Sequence, residues 1–154
     1  LPLADGGDFG GSLRNPAAWN HVFGFRTGIG VVPQEGPDQW ISRMGVLGPM
    51  ARTVQDLGLL LSVQAGRHPQ SPQSLDIDTA AFRGPLDADP KGLRIGWLGD
   101  WSGRVPHDPG VLALCSSTLA TFRAMGCIVD EAKVDFDLER VWQAVQLLRS
   151  WNYA

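Results

Sequence analysis

The run Asp5-Gly-Gly-Asp-Phe-Gly-Gly-Ser-Leu-Arg-Asn-Pro-Ala17 is the most informative stretch of this sequence. Its four glycines and two aspartates surround one serine, Ser12, and its end predicts a short helix at Asn15-Pro16. A turn of consecutive backbone N–H groups can bind an anion or a developing oxyanion, and a hydroxyl beside such a turn is a candidate nucleophile. The alternative is an ordinary glycine-rich surface turn before a helix.

Two charged residues flank this serine. Asp8 precedes Ser12 by four positions and Arg14 follows it by two, so an ion pair between them would clamp the turn. Pre-aimed N–H donors are worth about 3 kcal/mol each in oxyanion holes. The donors expected here are the backbone N–H groups of Phe9, Gly10, Gly11 and Ser12. A serine hydroxyl is a weak nucleophile without a base, and the neighbouring sequence offers none.

The composition predicts one ordinary domain with a real core. The chain has 154 residues, 44% hydrophobic and 19% charged, and its formal net charge is −3. Interspersed charges of both signs argue against a nucleic-acid surface, which needs a concentrated basic stripe. No apolar stretch approaches the roughly 20 residues of a membrane span, and the N-terminal residues do not resemble a secretory signal.

The cysteines and histidines do not indicate a metal site. Cys115 and Cys127 lack ligand spacing, and we interpret both as small buried apolar residues in a reducing, cytoplasmic compartment, with a disulfide as the alternative. The three histidines lie near turn residues and are interpreted as surface groups: His21, His68 and His107. We therefore expect no metal site.

The middle of the chain predicts a helix followed by a long loop. Thr53, with Asp56 three positions later, is typical of a helix N-terminus. An apolar stripe of helical period follows, and Gly66 ends the helix. Residues 67–91 carry four prolines and many polar residues, which favours a loop.

From residue 92 onward the order predicted is strand, helix, strand, helix. The first strand is Leu93–Trp97, and the next helix opens at Asp108-Pro109, capped by the Asp108 carboxylate, and ends at Gly126. A strand at Cys127–Val129 and a helix capped by Asp137 complete the pattern. This alternation favours an α/β layer architecture.

Several blocks of the sequence closely resemble the amidase signature family. The glycine-rich run and the block around Gly48 are specific to that family, whereas the later blocks are only typical of it. The matching blocks are Gly6–Ala17, Val22–Arg26, Val32-Pro33, Gly48–Asp56, Lys91–Gly96 and the Asp108-Pro109 helix. The resemblance implies an α/β/α sandwich around a mixed sheet, of which residues 1–154 would be a partial domain beginning just before the nucleophile loop.

The resemblance also implies a mechanism. The family hydrolyses carboxamides through a Ser-(cis-Ser)-Lys triad, with no metal or organic cofactor. Carried onto this sequence, Ser12 is the nucleophile, the N–H groups of Phe9–Ser12 form the oxyanion hole, and Asp8 and Arg14 brace the loop. The implied substrate is a small-molecule amide.

This sequence departs from the family pattern in four ways. The Gly-Gly-Ser-Ser-Gly-Gly segment that holds the cis-serine is absent, and Lys91 and Lys133 lie in segments unlike that of the catalytic lysine. Gly7 stands where the family usually has a hydroxyl residue, and Thr27-Gly28 replaces the usual Pro-Ser/Thr.

Three expectations follow from these departures. The chain is expected to be the C-terminal-side portion of a longer amidase and to be nearly inactive alone. An incomplete domain would expose apolar surface, which predicts either self-association or dependence on other chain material. The alternative function is a non-catalytic binding or interaction module whose glycine-rich loop holds an anion.

Overall fold

The computed structural model describes residues 2–36, 44–108 and 110–152. These residues form two compact units, Leu1–Asp87 and Ala88–Ala154. Each unit contains its own sheet and at least two helices among the described residues. The α/β fold class that the sequence predicts is confirmed.

The first unit is built on a three-stranded antiparallel sheet. Its strands are β1 (Leu3–Asp8), β2 (Phe23–Gly24) and β3 (Val46–Ala51), in the spatial order β1-β3-β2. The register pairs Leu3 with Ala51 at one end and Asp8 with Val46 at the other. The last residue of β1 therefore lies beside the first residue of β3.

Two helices complete the first unit. The short helix α1 (Arg14–Trp19) follows the glycine-rich run, and α2 (Val54–Gln64) follows β3. The Thr53 side chain accepts a 3.1 Å hydrogen bond from the Asp56 N–H, so the predicted cap is confirmed. The long segment after α2 contains a 3-10 turn at Thr79–Phe82.

The core of the first unit lies between α1, α2 and the sheet. Its buried apolar residues are Leu13, Ala17, Val32, Val46, Ala51 and Leu61. Gly48 in β3 has no side chain where the Phe25 carbonyl crosses the strand, and a Cβ at that position would collide with this carbonyl. The Phe25 N–H donates to the Pro49 carbonyl at 3.0 Å. The chain after β2 is thereby held against β3.

The second unit has the predicted strand, helix, strand, helix order. Strand β4 (Arg94–Trp97) pairs in parallel with β5 (Ile128–Glu131), and α3 (Val111–Ala124) connects them. Helix α4 (Leu138–Asn152) follows, and Asp137 caps it as predicted, accepting from the Glu139 N–H at 3.0 Å.

Two expectations for the second unit are wrong. The sequence predicts Asp108 as the cap of α3, whereas the N-cap is Gly110, with φ 87°, which provides no side-chain cap; Pro109 lies outside the described residues. Cys115 is exposed, although Cys127 is buried as predicted, and both are free thiols. The residue of α3 that is buried is Leu119, one turn beyond Cys115.

Candidate active site

Ser12 lies in the short turn that joins β1 to α1. Strand β1 ends at Asp8, whose side chain is fully buried, and α1 begins at Arg14. Ser12 itself is exposed, whereas Gly11 and Leu13 on either side of it are buried. The turn is thus anchored on both sides of an accessible hydroxyl.

The Asp8 carboxylate is the centre of the hydrogen bonds in this turn. Its Oδ1 accepts from the Gly11 N–H at 2.8 Å, and its Oδ2 accepts from the Leu13 N–H at 3.4 Å. Arg14 donates through Nε to Oδ2 at 2.8 Å and through Nη2 to Oδ1 at 3.0 Å. Such two-pronged pairing fixes geometry as well as supplying energy.

The charges of this pair are strongly stabilised. The Arg14 guanidinium holds the pKa of the Asp8 carboxyl well below its usual range, helped by the Gly11 N–H and opposed by burial. In turn, the hydrogen bond to Asp8 raises the pKa of Arg14. Asp8 is therefore an anion, and an acceptor only, at neutral pH.

Arg26 is a second cation at the same carboxylate. Its Nε lies 3.6 Å from Asp8 Oδ1, and its Nη2 donates to the Met44 carbonyl at 2.9 Å. Sequence reasoning includes Arg26 in a matching block but gives it no role. Its contact depends on the pairing of β2 with β3, which neither strand's residue pattern predicts.

The N–H groups of the turn divide into two sets. The Gly11 N–H already donates to Asp8, and the Gly11 carbonyl accepts from the Asn15 N–H at 2.7 Å. Within the described part of the chain, the N–H groups of Gly10 and Ser12 have no acceptor. Phe9 follows β1, is half-buried, and places its ring beside Gly45.

The backbone of Gly11 explains why glycine occupies this position. Its φ is +116°, which L side chains rarely adopt, and a Cβ there would lie 2.8 Å from the Asn15 amide nitrogen. Gly10 differs, because a Cβ added there would meet nothing within 4 Å. Glycine is thus required by geometry at Gly11 and not at Gly10.

Both lysines and the histidine that follows Ser12 most closely in the chain have exposed side chains. Both lysines, Lys91 and Lys133, are exposed and belong to the second unit. His21 is exposed, with φ 53°. Thr27, one of the departures from the family pattern, is buried, and its hydroxyl donates to the Leu47 carbonyl at 2.6 Å.

Residues that could form a metal centre or a membrane span were searched in the described ranges. No group of three His, Cys, Asp or Glu side chains there is placed to hold a metal ion. None of the helices in those ranges combines the length and the apolar character needed to cross a bilayer.

The profile of the family described as Amidase matches residues 1–152. The chain therefore belongs to the amidase signature family. The acylamidase of Rhodococcus erythropolis is 34% identical over 147 residues, which are 94% of this chain and 30% of that relative. A glutamyl-tRNA(Gln) amidotransferase subunit of Deinococcus radiodurans is 37% identical over 133 residues, 86% of this chain and 27% of the relative. The chain thus spans less than a third of the length of these curated relatives.

Solved structures give the same assignment. A bacterial aryl acylamidase of the amidase signature family matches with a TM-score of 0.81 and 28% identity, over 94% of this chain and 30% of that one. The corresponding amidotransferase subunit of Thermotoga maritima matches with a TM-score of 0.82 and 22% identity, over 99% of this chain and 34% of that one. The second match supports the fold alone.

Proposed function

We propose that Ser12 is the nucleophile of an amide-hydrolysing site. Its hydroxyl attacks the carbonyl carbon of a small carboxamide, the amine leaves with a proton, and water then hydrolyses the acyl-serine. The observation that carries the proposal is an exposed serine in a turn braced on both sides by one buried carboxylate. Relatives named acylamidase and aryl acylamidase support an amide as the substrate.

The oxyanion that forms during this attack needs N–H donors. The N–H groups of Gly10 and Ser12 are the first candidates, because they have no acceptor in the described part of the chain. Those of Phe9 and Gly11 belong to the same turn, and Gly11 joins only when its N–H leaves Asp8.

The sequence next to Ser12 does not offer a base for this attack. The family resemblance assigns it to a lysine that acts through a cis-serine, and the Gly-Gly-Ser-Ser-Gly-Gly segment is absent from this sequence. A serine with oxyanion donors but no base retains only a small part of the catalysis of a complete triad. We therefore expect the isolated 154-residue chain to be nearly inactive.

A hybrid enzyme tests the role of Ser12. In it, residues 1–152 replace the matching segment of the Rhodococcus erythropolis acylamidase, which contributes the rest of the site. A fluorophosphonate probe should label Ser12, and Ser12→Ala should lower amide turnover by about 10⁴-fold or more. Ser102→Ala, an exposed serine of the second unit, is the control. Labelling elsewhere, or full activity of a folded Ser12→Ala hybrid, would contradict the proposal.

The alternative function is an anion-binding loop without catalysis. The same turn presents two N–H groups beside two guanidiniums, and such a concavity suits a phosphate or carboxylate. The gene sequence upstream of Leu1 separates the two functions. A lysine and a Gly-Gly-Ser-Ser-Gly run there would favour the amidase, and their absence would favour the binding loop.

We also infer two finer properties of the chain. Apolar side chains exposed on α4 support association of the chain with a second copy of itself: Val141, Trp142, Leu147, Leu148 and Trp151. The two free thiols, one of them exposed, support a reducing compartment such as the cytoplasm.

A further inference from the structure

Two guanidiniums share one buried carboxylate beneath the Ser12 turn. Asp8 Oδ1 accepts from the Gly11 N–H at 2.8 Å and from Arg14 Nη2 at 3.0 Å, and Arg26 Nε lies 3.6 Å from the same oxygen. Asp8 has no exposed side-chain surface, whereas 55% of Arg14 and 33% of Arg26 are exposed. The three side chains together carry one net positive charge.

The two arginines come from different parts of the fold. Arg14 opens α1 and so belongs to the turn that it braces. Arg26 follows β2, and its Nη2 donates to the Met44 carbonyl, two residues before β3 begins. The neighbouring Phe25 N–H is bonded to the Pro49 carbonyl of β3. Arg26 therefore links the carboxylate to the segment that leads into β3, and Arg14 does not.

We propose that Arg26 is a positioning residue for Ser12 that acts through Asp8. The N–H groups of Gly11 and Leu13, on either side of Ser12, both end on the Asp8 carboxylate. The orientation of this carboxylate consequently sets the peptide plane between Ser12 and Leu13 and the plane between Gly10 and Gly11. Arg26 fixes that orientation relative to β3. The net positive charge of the group also favours the anion that forms when Ser12 attacks.

This role differs from that of an ordinary surface ion pair. Exposed pairs contribute about 0–1 kcal/mol and leave the backbone unchanged. A positioning residue instead changes how often the Gly11 and Leu13 N–H groups leave Asp8. Amide hydrogen exchange reports such local opening residue by residue. The inference rests on the proposed role of Ser12, but this measurement does not require catalysis.

The experiment compares amide exchange, by NMR, in the 154-residue chain and three variants. Arg26→Gln should speed exchange at Gly11 and Leu13 by about fivefold, while the paired amides of β1 and β3 keep their rates. Arg26→Lys keeps the charge but has one nitrogen where Arg26 uses two, at Asp8 and at Met44, so it should restore the two rates only in part. Arg67→Gln, an exposed arginine of the same unit, should change neither amide.

Two results would overturn the inference. Unchanged exchange at Gly11 in Arg26→Gln would show that Arg14 alone holds the carboxylate. Equal acceleration throughout β1 and β3 would show a purely structural role. In the hybrid enzyme, Arg26→Gln should lower kcat and leave KM nearly unchanged. If Arg26→Gln speeds exchange only at Gly11 and Leu13 but the probe does not label Ser12, the proposed function is refuted. The role of Arg26 at Asp8 is then still supported.

Discussion

At the scale of single residues, the Asp8 carboxylate accepts hydrogen bonds from two backbone N–H groups and a guanidinium while having no exposed surface of its own. The spacing of Asp8 and Arg14 around Ser12 already predicts an ion pair across a tight turn. The approach of Arg26 is not predictable from spacing, because it requires two strands, β2 and β3, that come together only in the fold.

The depressed pKa of Asp8 makes the stability of the first unit depend on pH. A carboxyl whose pKa is lower in the folded than in the unfolded chain stabilises the fold fully above its unfolded pKa, which is about 3.9. This contribution is lost as the pH falls from about 5 toward the lower folded pKa. Urea denaturation between pH 2 and pH 7 should therefore show falling stability below about pH 5.

The Asp8→Asn variant tests whether Asp8 causes the pH dependence of the unfolding free energy. It should unfold about 2 kcal/mol more easily at pH 7, a figure that allows for the solvent screening of exposed Arg14. Its difference from the parent chain should shrink as the pH falls. Asp5→Asn, in the same strand, should change stability by less than about 0.5 kcal/mol. A constant difference across the pH range would exclude Asp8 as the titrating group.

The two central glycines of the turn should respond differently to alanine. Gly11→Ala introduces a side chain at φ +116°, 2.8 Å from the Asn15 amide nitrogen, and should destabilise the unit by about 1–3 kcal/mol. Gly10→Ala meets open space and should stay within about 0.5 kcal/mol of the parent. Thermal unfolding of both variants measures the difference. Equal losses would mean that the turn has a different backbone in solution.

At the scale of elements, the helices are more predictable than the strands of the first unit. Helix α2 and its cap follow from an apolar stripe and one hydroxyl. Strand β1 contains Gly6 and Gly7, and β3 contains Gly48-Pro49. Glycine and proline are depleted in strands, so these residues favour turns over strands. Tertiary pairing overrides that preference, because Gly48 lets the Phe25 carbonyl approach β3.

The cap of α2 offers a test at this scale. Thr53→Ala removes the acceptor of the Asp56 N–H bond at 3.1 Å and should cost about 1 kcal/mol of unfolding free energy. Thr53→Ser keeps a hydroxyl and should restore most of the loss. Guanidinium denaturation followed by circular dichroism measures both. Equal stability of the two variants would show that the hydrogen bond contributes nothing.

At the scale of the whole molecule, α4 is the element that most needs a partner. None of its described residues is buried, and Trp142 and Leu148 are exposed at 57% and 49%. Sedimentation velocity at several concentrations should show a dimer that dissociates on dilution. Leu148→Glu should abolish it, whereas Trp19→Glu, on an exposed side chain of the first unit, should not. A monomer at every concentration would refute the proposed self-association.

At this scale, the sequence predicts features that depend on local patterns but not those that depend on long-range contacts. The order of elements after residue 92 and the family of the chain follow from local patterns and specific motifs. The exposure of Cys115 does not, because it depends on which turn of α3 is buried in the fold. The division into two units is likewise a property of long-range contacts that a residue pattern does not record.

The hydrogen bond from the Gly11 N–H to Asp8 has a thermodynamic consequence for ligand binding. The Gly11 N–H donates to the Asp8 carboxylate at 2.8 Å, so an oxyanion bound at the proposed site would compete with Asp8 for this donor. Protonation makes Asp8 a weaker acceptor for the Gly11 N–H, so binding of a proton to Asp8 favours binding of the anion. By linkage, each must raise the affinity for the other by the same factor. Binding of inorganic phosphate, measured with and without Asp8→Asn, gives the size of that coupling.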